Sequence, residues 1–80
     1  MAIKLVFLGK LADLAATPEK DAEEPLDWAR LLEALPGPLR DAVAGDKVKV
    51  ALNGQVLADK ATLSAVDGDE VALLPPVSGG

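Results

Sequence analysis

Strand-like segments outnumber helical ones in this sequence, and one long apolar helical stripe is available to cover them. The stripe has residues at i, i+3, i+4 and i+7, which share one face of a helix. It is formed by Trp28, Leu31, Leu32 and Leu35. Runs of β-branched and alternating apolar residues predict strands at 2–8, 47–52 and 70–74. The pattern therefore predicts an α+β domain in which a mixed sheet packs on one main helix.

The boundaries of the main helix are indicated by the residues around it. Asp27 fits the N-cap position, because its carboxylate can accept hydrogen bonds from the free backbone N–H groups of the first turn. Leu26 and Leu31 can pack together across this start as a hydrophobic staple. The Pro-Gly-Pro sequence at 36–38 is expected to end the helix, and residues 39–44 to form a further turn.

The remaining segments give weaker signals. Residues 10–16 carry apolar residues at helical spacing, which predicts one or two turns of helix, ended by Thr17-Pro18. Residues 19–24 are polar without a clear period, so they fit either an edge strand, whose charges block unwanted pairing, or a loop. The Asn-Gly dipeptide at 53–54 predicts a tight turn into a short strand at 55–58.

Pleating assigns the strand side chains to two faces of the sheet. The face that is wholly apolar is expected to cover the helix. It comprises Ile3, Leu5, Phe7, Val71 and Leu73. The opposite positions would then form an exposed apolar patch, the kind of surface on which a protein partner docks, unless loops or the polar segment cover it. This patch comprises Val6, Leu8, Ala72 and Leu74.

The composition excludes several kinds of chemistry. The chain has no cysteine, which rules out disulfides and side-chain thiol chemistry, and no histidine, the commonest general acid-base and metal ligand. Phe7 and Trp28 are its only aromatic residues, so the core must be mostly aliphatic. A chain of 80 residues leaves little room for an internal active site. We therefore expect no metal or cofactor bound by this chain, and no catalysis by its own side chains.

The charge balance limits the choice of partner. The net charge is −5, which opposes nucleic-acid binding. An acidic surface suits a protein partner with a basic rim, although a negative charge also simply keeps a small protein soluble. No apolar run is long enough to span a membrane, and the absence of disulfides in so small a domain favours a cytoplasmic location.

The most informative segment is the Pro-Pro-Val-Ser-Gly-Gly sequence at 75–80. Two prolines cannot continue a strand ladder, so the domain is expected to cover residues 1–74 and the tail beyond it to run extended. Six residues at about 3.3 Å each reach roughly 20 Å. The two glycines, Gly79 and Gly80, have no Cβ, so the end of the tail could enter a narrow channel. The only side-chain nucleophile in the tail is that of Ser78, and no base lies near it in sequence. The remaining reactive group is the terminal carboxylate of Gly80. A frayed terminus or an expression scar would give the same pattern.

Three segments together resemble a known family. They are the tail with Leu74 before it, the Asp-Gly-Asp-Glu-Val-Ala sequence at 67–72, and the first strand with the Gly-Lys-Leu-Ala-Asp-Leu sequence that follows it. The Val-Ala-Leu-Asn-Gly sequence at 50–54 adds to them. These features resemble the small subunit of molybdopterin synthase, a sulfur carrier with a ubiquitin-like β-grasp fold. The resemblance is tight at both ends of the chain and looser from 17 to 46.

The resemblance implies a mechanism. An ATP-dependent activating enzyme would adenylate Gly80, and a sulfur transfer system would convert the adenylate to a thiocarboxylate. The tail would then enter the active site of the large subunit and donate its sulfur to cyclic pyranopterin monophosphate. Two such transfers build the dithiolene that holds molybdenum. The family assembles as a heterotetramer, with two small subunits at the ends of a large-subunit dimer.

The resemblance also implies which residues contact these partners. The tail residues would lie inside the partner's channel and contact its walls. The outward sheet residues would form the docking surface, and Val56 is added to them by resemblance alone. The expected contact residues are Val6, Leu8, Val56, Ala72, Leu74, Pro75, Pro76, Val77 and Ser78.

Other functions fit parts of the sequence. A sulfur carrier for thiamine or another pathway would share the fold and the Gly-Gly end, although the Pro-Pro-Val-Ser sequence before it favours molybdopterin. A non-covalent β-grasp interaction module would use the sheet without any chemistry at the tail. A protein modifier would be joined to lysines through Gly80. An enzyme acting alone fits least, given the missing histidine and cysteine.

Overall fold

The computed structural model describes residues 2–75, which form two sheets and three helices. The strands are β1 (Ile3–Phe7), β2 (Glu19–Ala22), β3 (Leu26–Asp27), β4 (Lys49–Leu52), β5 (Gln55–Val56), β6 (Ser64–Ala65) and β7 (Glu70–Leu74). The helices are α1 (Lys10–Ala15), α2 (Trp28–Ala34) and α3 (Gly37–Ala44), and Lys60–Thr62 forms a 3₁₀ turn.

The main sheet is mixed, and its strand order is β2-β1-β7-β4-β5. The first and last strands, β1 and β7, pair in parallel at its centre, while the other neighbours pair antiparallel. The strands β3 and β6 form a separate two-residue ladder that the sequence pattern did not indicate. The α+β class with a mixed sheet is therefore confirmed.

The apolar face of the sheet packs on the helices as predicted. All five residues assigned to it are buried, with between 0% and 2% of their surface exposed. Leu63, which follows the 3₁₀ turn, joins the same core. Phe7 contributes an aromatic ring to this layer, and the ring of Trp28 is partly buried against it. The rest of the core is aliphatic, as the composition requires.

The start of α2 has the predicted cap and staple. The backbone N–H of Arg30 donates to Oδ1 of Asp27 at 2.8 Å, which satisfies one of the donors that a helix start leaves free. Leu26, before the cap, and Leu31, four residues after it, are both buried. The predicted cap is confirmed, and both residues of the predicted staple lie in the core.

The helical layer differs from the prediction in one respect. The helix α3 begins at Gly37, within the Pro-Gly-Pro sequence, and is a full helix of eight residues, where the sequence suggested only a further turn at 39–44 beside one main helix. Pro38 lies in the first turn of α3, where its missing N–H costs no hydrogen bond. Leu39 and Val43 then bury one face of α3 in the core. The same prolines therefore end one helix and begin the next.

Lys60 joins the end of α3 to the start of β4. Its ammonium donates to the backbone carbonyls of Val43 and Val48, both at 2.9 Å, and also to that of Gly45. The same group lies 5.4 Å from the centre of the Trp28 ring. A cation here complements the partial negative charge of a helix C-terminus.

This environment also affects the protonation of Lys60. Burial lowers the pKa of its ammonium below the ordinary value, and repulsion from Lys49 acts in the same direction, while attraction from Asp46 opposes both. The Lys60 ammonium is therefore partly desolvated while it donates to three carbonyl groups.

The turn at 53–54 connects β4 to β5 and also touches β7. Asn53 and Gly54 have φ values of 51° and 86°, as the tight hairpin turn requires. The Asn53 carboxamide accepts from the N–H of Glu70 at 2.9 Å and donates to Asp69 at 3.1 Å. Hydrogen bonds from the Val66 N–H and from Asn53 lower the pKa of the Asp69 carboxyl. One turn thus aligns three strands.

The polar segment that fitted either a strand or a loop contains β2. This strand pairs with β1 along the edge of the sheet, and its charged residues face solvent.

No helix within residues 2–75 is long and apolar enough to cross a bilayer.

Candidate functional site

The outer face of the main sheet, opposite the helices, carries a set of partly exposed apolar residues. Val6, Ala72 and Leu74 are partly exposed, and Leu8, just after β1, has 39% of its surface exposed. Neither the loops nor β2 bury them. The structure thus places all four predicted outward residues on one accessible face.

Strand register brings residues of four strands into one row. Val6 pairs with Ala72, Ala72 pairs with Ala51, and Ala51 pairs with Val56. Directly opposed residues share a face and lie about 4.5–5.5 Å apart. Val56, which the sequence placed here only by resemblance, has 55% of its surface exposed and ends this row at β5. We call these four residues, with Leu8 and Leu74, the outer apolar patch.

Ala51 is a member of this patch that the sequence analysis did not assign. Alternation puts Ala51 on the opposite side of β4 from Val50, which is fully buried. The small side chain of Ala51 gave no sign of a role. Its position between Ala72 and Val56 depends on the order of the strands in the sheet. The adjacency of distant strands was the missing information.

Charged residues border the patch on the side away from the tail. Lys4 pairs with Glu70 on β7 and with Asp21 on β2 in the row next to Val6. The Lys4 ammonium lies 3.8 Å from the Glu19 carboxylate, and both side chains are largely exposed. Exposed ion pairs of this kind contribute little to stability. The carboxylates of Glu19, Asp21 and Glu70 outnumber the one ammonium, that of Lys4, so this border of the patch is acidic.

The last strand leads directly to the tail. β7 ends at Leu74, and Pro75 follows it against Gly9. Gly9 has φ 55°, and a Cβ on it would come within 3.1 Å of Cγ of Pro75. Only glycine suits both this backbone conformation and this close approach. Gly9 therefore fixes where the chain leaves the sheet.

A groove lies beside this exit, between α1, α3 and the start of β4. Its volume is about 580 Å³, and Pro75 forms part of its wall. Leu11 and Leu14 also line it. Leu11 is buried, whereas Leu14 has 44% of its surface exposed. The start of the tail therefore has an apolar surface on its helical side as well as on the sheet.

The predicted reactive residues lie outside the described part of the chain. Gly79 and Gly80, and the contact residues Pro76, Val77 and Ser78, are all beyond Pro75. Within residues 2–75, no group of histidine, cysteine, aspartate or glutamate side chains is arranged to hold a metal ion. What the described residues offer is the outer apolar patch and a fixed starting point for the tail.

Comparison with protein families gives a match over nearly the whole chain. The model of the ThiS family matches residues 5–80, a range that includes the outer apolar patch and the tail. No curated protein matches the sequence significantly.

Solved structures are similar over the full length. SAMP1 from Haloferax volcanii is 30% identical, with both chains covered completely and a TM-score of 0.73. The small archaeal modifier protein 1 from Methanosarcina acetivorans is 26% identical, with 98% of this chain and 95% of that chain covered and a TM-score of 0.72. A complex of subunits 1 and 2 of the molybdopterin-converting factor from Helicobacter pylori contains a chain that is 26% identical, with complete coverage of both and a TM-score of 0.68.

These similarities agree with the strand order, the aliphatic core and the family resemblance of the two chain ends. The family match covers far more than half of the sequence, and the similar structures match the fold over all or nearly all of the chain. The chain therefore belongs to the ThiS family and is a sulfur carrier with a ubiquitin-like β-grasp fold.

Proposed function

We propose that this sulfur carrier is the small subunit of molybdopterin synthase. The observation that carries the proposal is the position of the outer apolar patch. Its residues Ala72 and Leu74 lie on β7, the same strand that leads into the tail. A partner that covers the patch therefore also receives the tail. The similar structure of a complex between subunits 1 and 2 of the molybdopterin-converting factor supports a large subunit as that partner.

The chemistry takes place at the Gly80 carboxylate. This carboxylate attacks the α-phosphate of ATP in an activating enzyme, pyrophosphate leaves, and an acyl-adenylate forms. A sulfur nucleophile then displaces AMP, which gives a thiocarboxylate. The thiocarboxylate sulfur is ionised and nucleophilic near neutral pH, so the carrier needs neither cysteine nor histidine.

Sulfur transfer follows in the large subunit. The tail enters its active site, and the thiocarboxylate donates sulfur to cyclic pyranopterin monophosphate. Water restores the Gly80 carboxylate, and a second loaded carrier supplies the second sulfur of the dithiolene. The assembly is a heterotetramer with a carrier at each end of a large-subunit dimer, and it acts in the cytoplasm.

Each part of the carrier has a separate role in this scheme. The chain has neither histidine nor cysteine, so in this scheme the partners supply the catalytic groups. The outer apolar patch docks, and Pro75, held against Gly9, gives the tail a fixed origin. Pro76, Val77 and Ser78 contact the walls of the partner's channel.

A second candidate function is that of a protein modifier. The 30% identity to SAMP1 of Haloferax volcanii and the similarity to a second archaeal modifier protein favour it. The same adenylate at Gly80 would then be attacked by a lysine amine, directly or through an enzyme thioester. The product would be an amide bond to a target protein in place of a thiocarboxylate.

Intact mass spectrometry tests the proposal. The chain is measured before and after incubation with the activating enzyme, ATP and sulfide. We expect a mass gain equal to the replacement of one oxygen by sulfur, and no gain when Gly80 is deleted. The variant Glu33→Gln, on the exposed surface of α2, is the control and should load as the unsubstituted chain does.

Two further incubations separate the candidate functions. Adding the large subunit and cyclic pyranopterin monophosphate to the loaded carrier should produce molybdopterin and return the carrier to its original mass. Adding cell lysate with ATP instead should leave no conjugate of raised mass. Conjugates that require Gly80 would favour the modifier function, and a carrier that does not load under conditions that load a known one would refute sulfur transfer.

A further inference from the structure

The groove between α1, α3 and the start of β4 is lined by apolar residues and lies where the tail begins. Leu11 and Val48 line it with 2% and 4% of their surfaces exposed, and Leu14 lines it with 44% exposed. Pro75, the last described residue, forms part of its wall. Its volume of about 580 Å³ falls within the range of about 300–1,000 Å³ that is usual for ligand sites. The groove can therefore hold a short apolar segment.

The charged residues that line the groove balance one another. Lys10 and Lys47 bring two positive charges, and Asp41 and Asp46 bring two negative ones. Within residues 2–75, none of these four forms an ion pair with another side chain. The groove thus has no net charge with which to select a strongly charged ligand, so apolar contact decides what binds there.

The nearest apolar segment outside the described residues is the chain's own tail. Pro76 and Val77 follow Pro75 directly in the sequence, and only serine and glycine come after them. Val77 is two residues beyond Pro75, a span of at most about 7 Å in an extended chain. Leu14 is five residues beyond Gly9, against which Pro75 lies, and at about 1.5 Å per helical residue this separation is also about 7 Å. Val77 can therefore reach Leu14.

The covalent link favours the tail over any other occupant of the groove. A segment joined to a protein beside its binding site has an effective concentration in the millimolar range, which no separate ligand needs to match. Only Pro76 and Val77 have to be ordered, and the ring of Pro76 already fixes one of its backbone angles. The entropic cost is small for this reason, and so is the gain from burying a single valine side chain. A contact of this kind is reversible.

We propose that in the free carrier Pro76 and Val77 pack in this groove against Leu14, and that the tail leaves the groove when a partner receives it. The groove is thus a binding site for a short apolar peptide, and its ligand is a segment of the same chain. A docked tail is not available to a partner, so docking lowers the apparent affinity of the carrier in proportion to the fraction that is docked. The contact goes beyond the proposed function, because it forms before any partner binds.

Nuclear magnetic resonance of the full chain, labelled with ¹³C and ¹⁵N and without any partner, tests the contact. We expect nuclear Overhauser effects between the methyl groups of Val77 and Leu14. Leu14→Gln should move the Val77 methyl shifts toward those of a free peptide with the sequence of residues 75–80. Val66→Gln should leave them unchanged, because Val66 is an apolar residue with 53% of its surface exposed outside the groove.

Variants of the tail itself examine the same contact without changing the folded domain. Val77→Ser should move the Leu14 methyl shifts, whereas Val77→Ile should retain the nuclear Overhauser effects, since isoleucine keeps the apolar side chain. These variants decide the matter even if thermal unfolding shows that Leu14→Gln is not folded.

Two results would overturn the docked tail. In the first, Val77 of the unsubstituted chain has the methyl shifts of the free peptide and shows no effect to Leu14. In the second, the effects disappear on dilution, which would mean that the groove holds the tail of a second copy.

The consequence for partners is tested by binding, and this step rests on the proposed function. Each full chain, without sulfur, is titrated into the purified large subunit from the same organism in a calorimeter. We expect Leu14→Gln to bind about two- to fivefold more tightly than the unsubstituted chain, because more of its tail is free. Val66→Gln should bind as the unsubstituted chain does. Equal or weaker binding by Leu14→Gln would refute competition between the groove and the partner.

The docked tail and the proposed function can fail separately. If the unsubstituted chain does not bind the large subunit, the proposed partner falls, while the nuclear Overhauser effects between Val77 and Leu14 still decide whether the tail docks. If those effects are absent but the large subunit binds and Gly80 loads with sulfur, the docked tail falls and the proposed function stands.

Discussion

Among single residues, Gly9 has the strictest local requirements. It combines φ 55° with a position against Pro75, so any side chain is opposed by the backbone and by the ring. Asn53 also has positive φ, but asparagine tolerates that region well. Gly9 is therefore the position where the start of the tail is most sensitive to substitution.

We predict that Gly9→Ala lowers the free energy of unfolding by about 1–3 kcal/mol, the usual cost of a strained backbone position. Urea denaturation monitored by circular dichroism measures the change. Adding Pro75→Ala in the same chain removes the ring carbon that the new Cβ approaches at 3.1 Å. The double variant should recover the part of the loss due to that contact.

Gly37→Ala is the control for Gly9→Ala. Gly37 begins α3, and nothing lies within 4 Å of a Cβ placed on it. This substitution should leave stability unchanged or raise it by about 0.5–1 kcal/mol, because alanine restricts the unfolded chain. If both variants lost the same stability, the special conformation of Gly9 would not be the cause.

Among the secondary-structure elements, the connection from α3 to β4 is contacted by a side chain from elsewhere in the chain. Lys60 lies outside both elements, yet its ammonium reaches carbonyl groups at the end of α3 and before β4. The loop between these elements also forms one side of the groove beside the tail. Lys60 therefore adds hydrogen bonds to a loop that is also held by backbone hydrogen bonds from Gly45 to Ala42 and from Val48 to Gly45.

We predict that Lys60→Met lowers the free energy of unfolding by about 1–3 kcal/mol, because charged hydrogen bonds to the carbonyls are lost. Methionine keeps the length of the side chain, so packing near Trp28 changes little. Chemical denaturation measures the loss, and amide hydrogen exchange should become faster at Val43 and Val48.

Lys47→Met provides the comparison for Lys60→Met. Lys47 is exposed in the same loop, and within residues 2–75 its ammonium makes no hydrogen bond. Its substitution should change stability by no more than about 0.5 kcal/mol. A similar loss for both lysines would mean that loop charge, and not the carbonyl contacts, is responsible.

Elements with a strong local pattern could be predicted from the sequence. The alternation of residues in β1 and β7 correctly predicted which side chains are buried, because each strand has one side that faces the core and one that faces outward. The cap at Asp27 was also predictable from three neighbouring residues. In contrast, α3 was predicted as only a turn, since Pro38 was interpreted as a helix breaker although it lies in a first turn.

Contacts between distant segments could not be predicted in this way. The carbonyl contacts of Lys60 join residues 12 to 17 positions apart, and no local pattern indicates them. The pairing of Ala51 with Ala72 depends on the strand order, which a single sequence does not reveal. The members of the outer apolar patch on β1, β7 and β5 were therefore expected from the sequence, but Ala51 on β4 was not.

For the whole molecule, β7 is the strand that closes the sheet. It lies between β1 and β4, and its residues Val71 and Leu73 are fully buried. We predict that a chain ending at residue 69 does not fold, because it loses the central strand of the sheet. Circular dichroism should then show no cooperative thermal transition.

A chain ending at residue 75 is the control for this truncation. It retains every strand, so it should unfold with a midpoint close to that of the full chain. It should also bind the large subunit through the outer apolar patch, although more weakly, since the tail contacts are gone. Cooperative unfolding of the shorter chain would show that β1 and β4 can close the sheet without β7.

The parallel pairing of β1 with β7 has a mechanical consequence. In the proposed function, a partner that draws in the tail would pull β7 along its own axis. The force would then act on the hydrogen bonds to β1 and to β4 at the same time. Hydrogen bonds loaded in shear must break together, unlike bonds at a free edge, which open one after another. In the proposed function, this pairing would help the carrier keep its fold while the tail is drawn into an active site and withdrawn again.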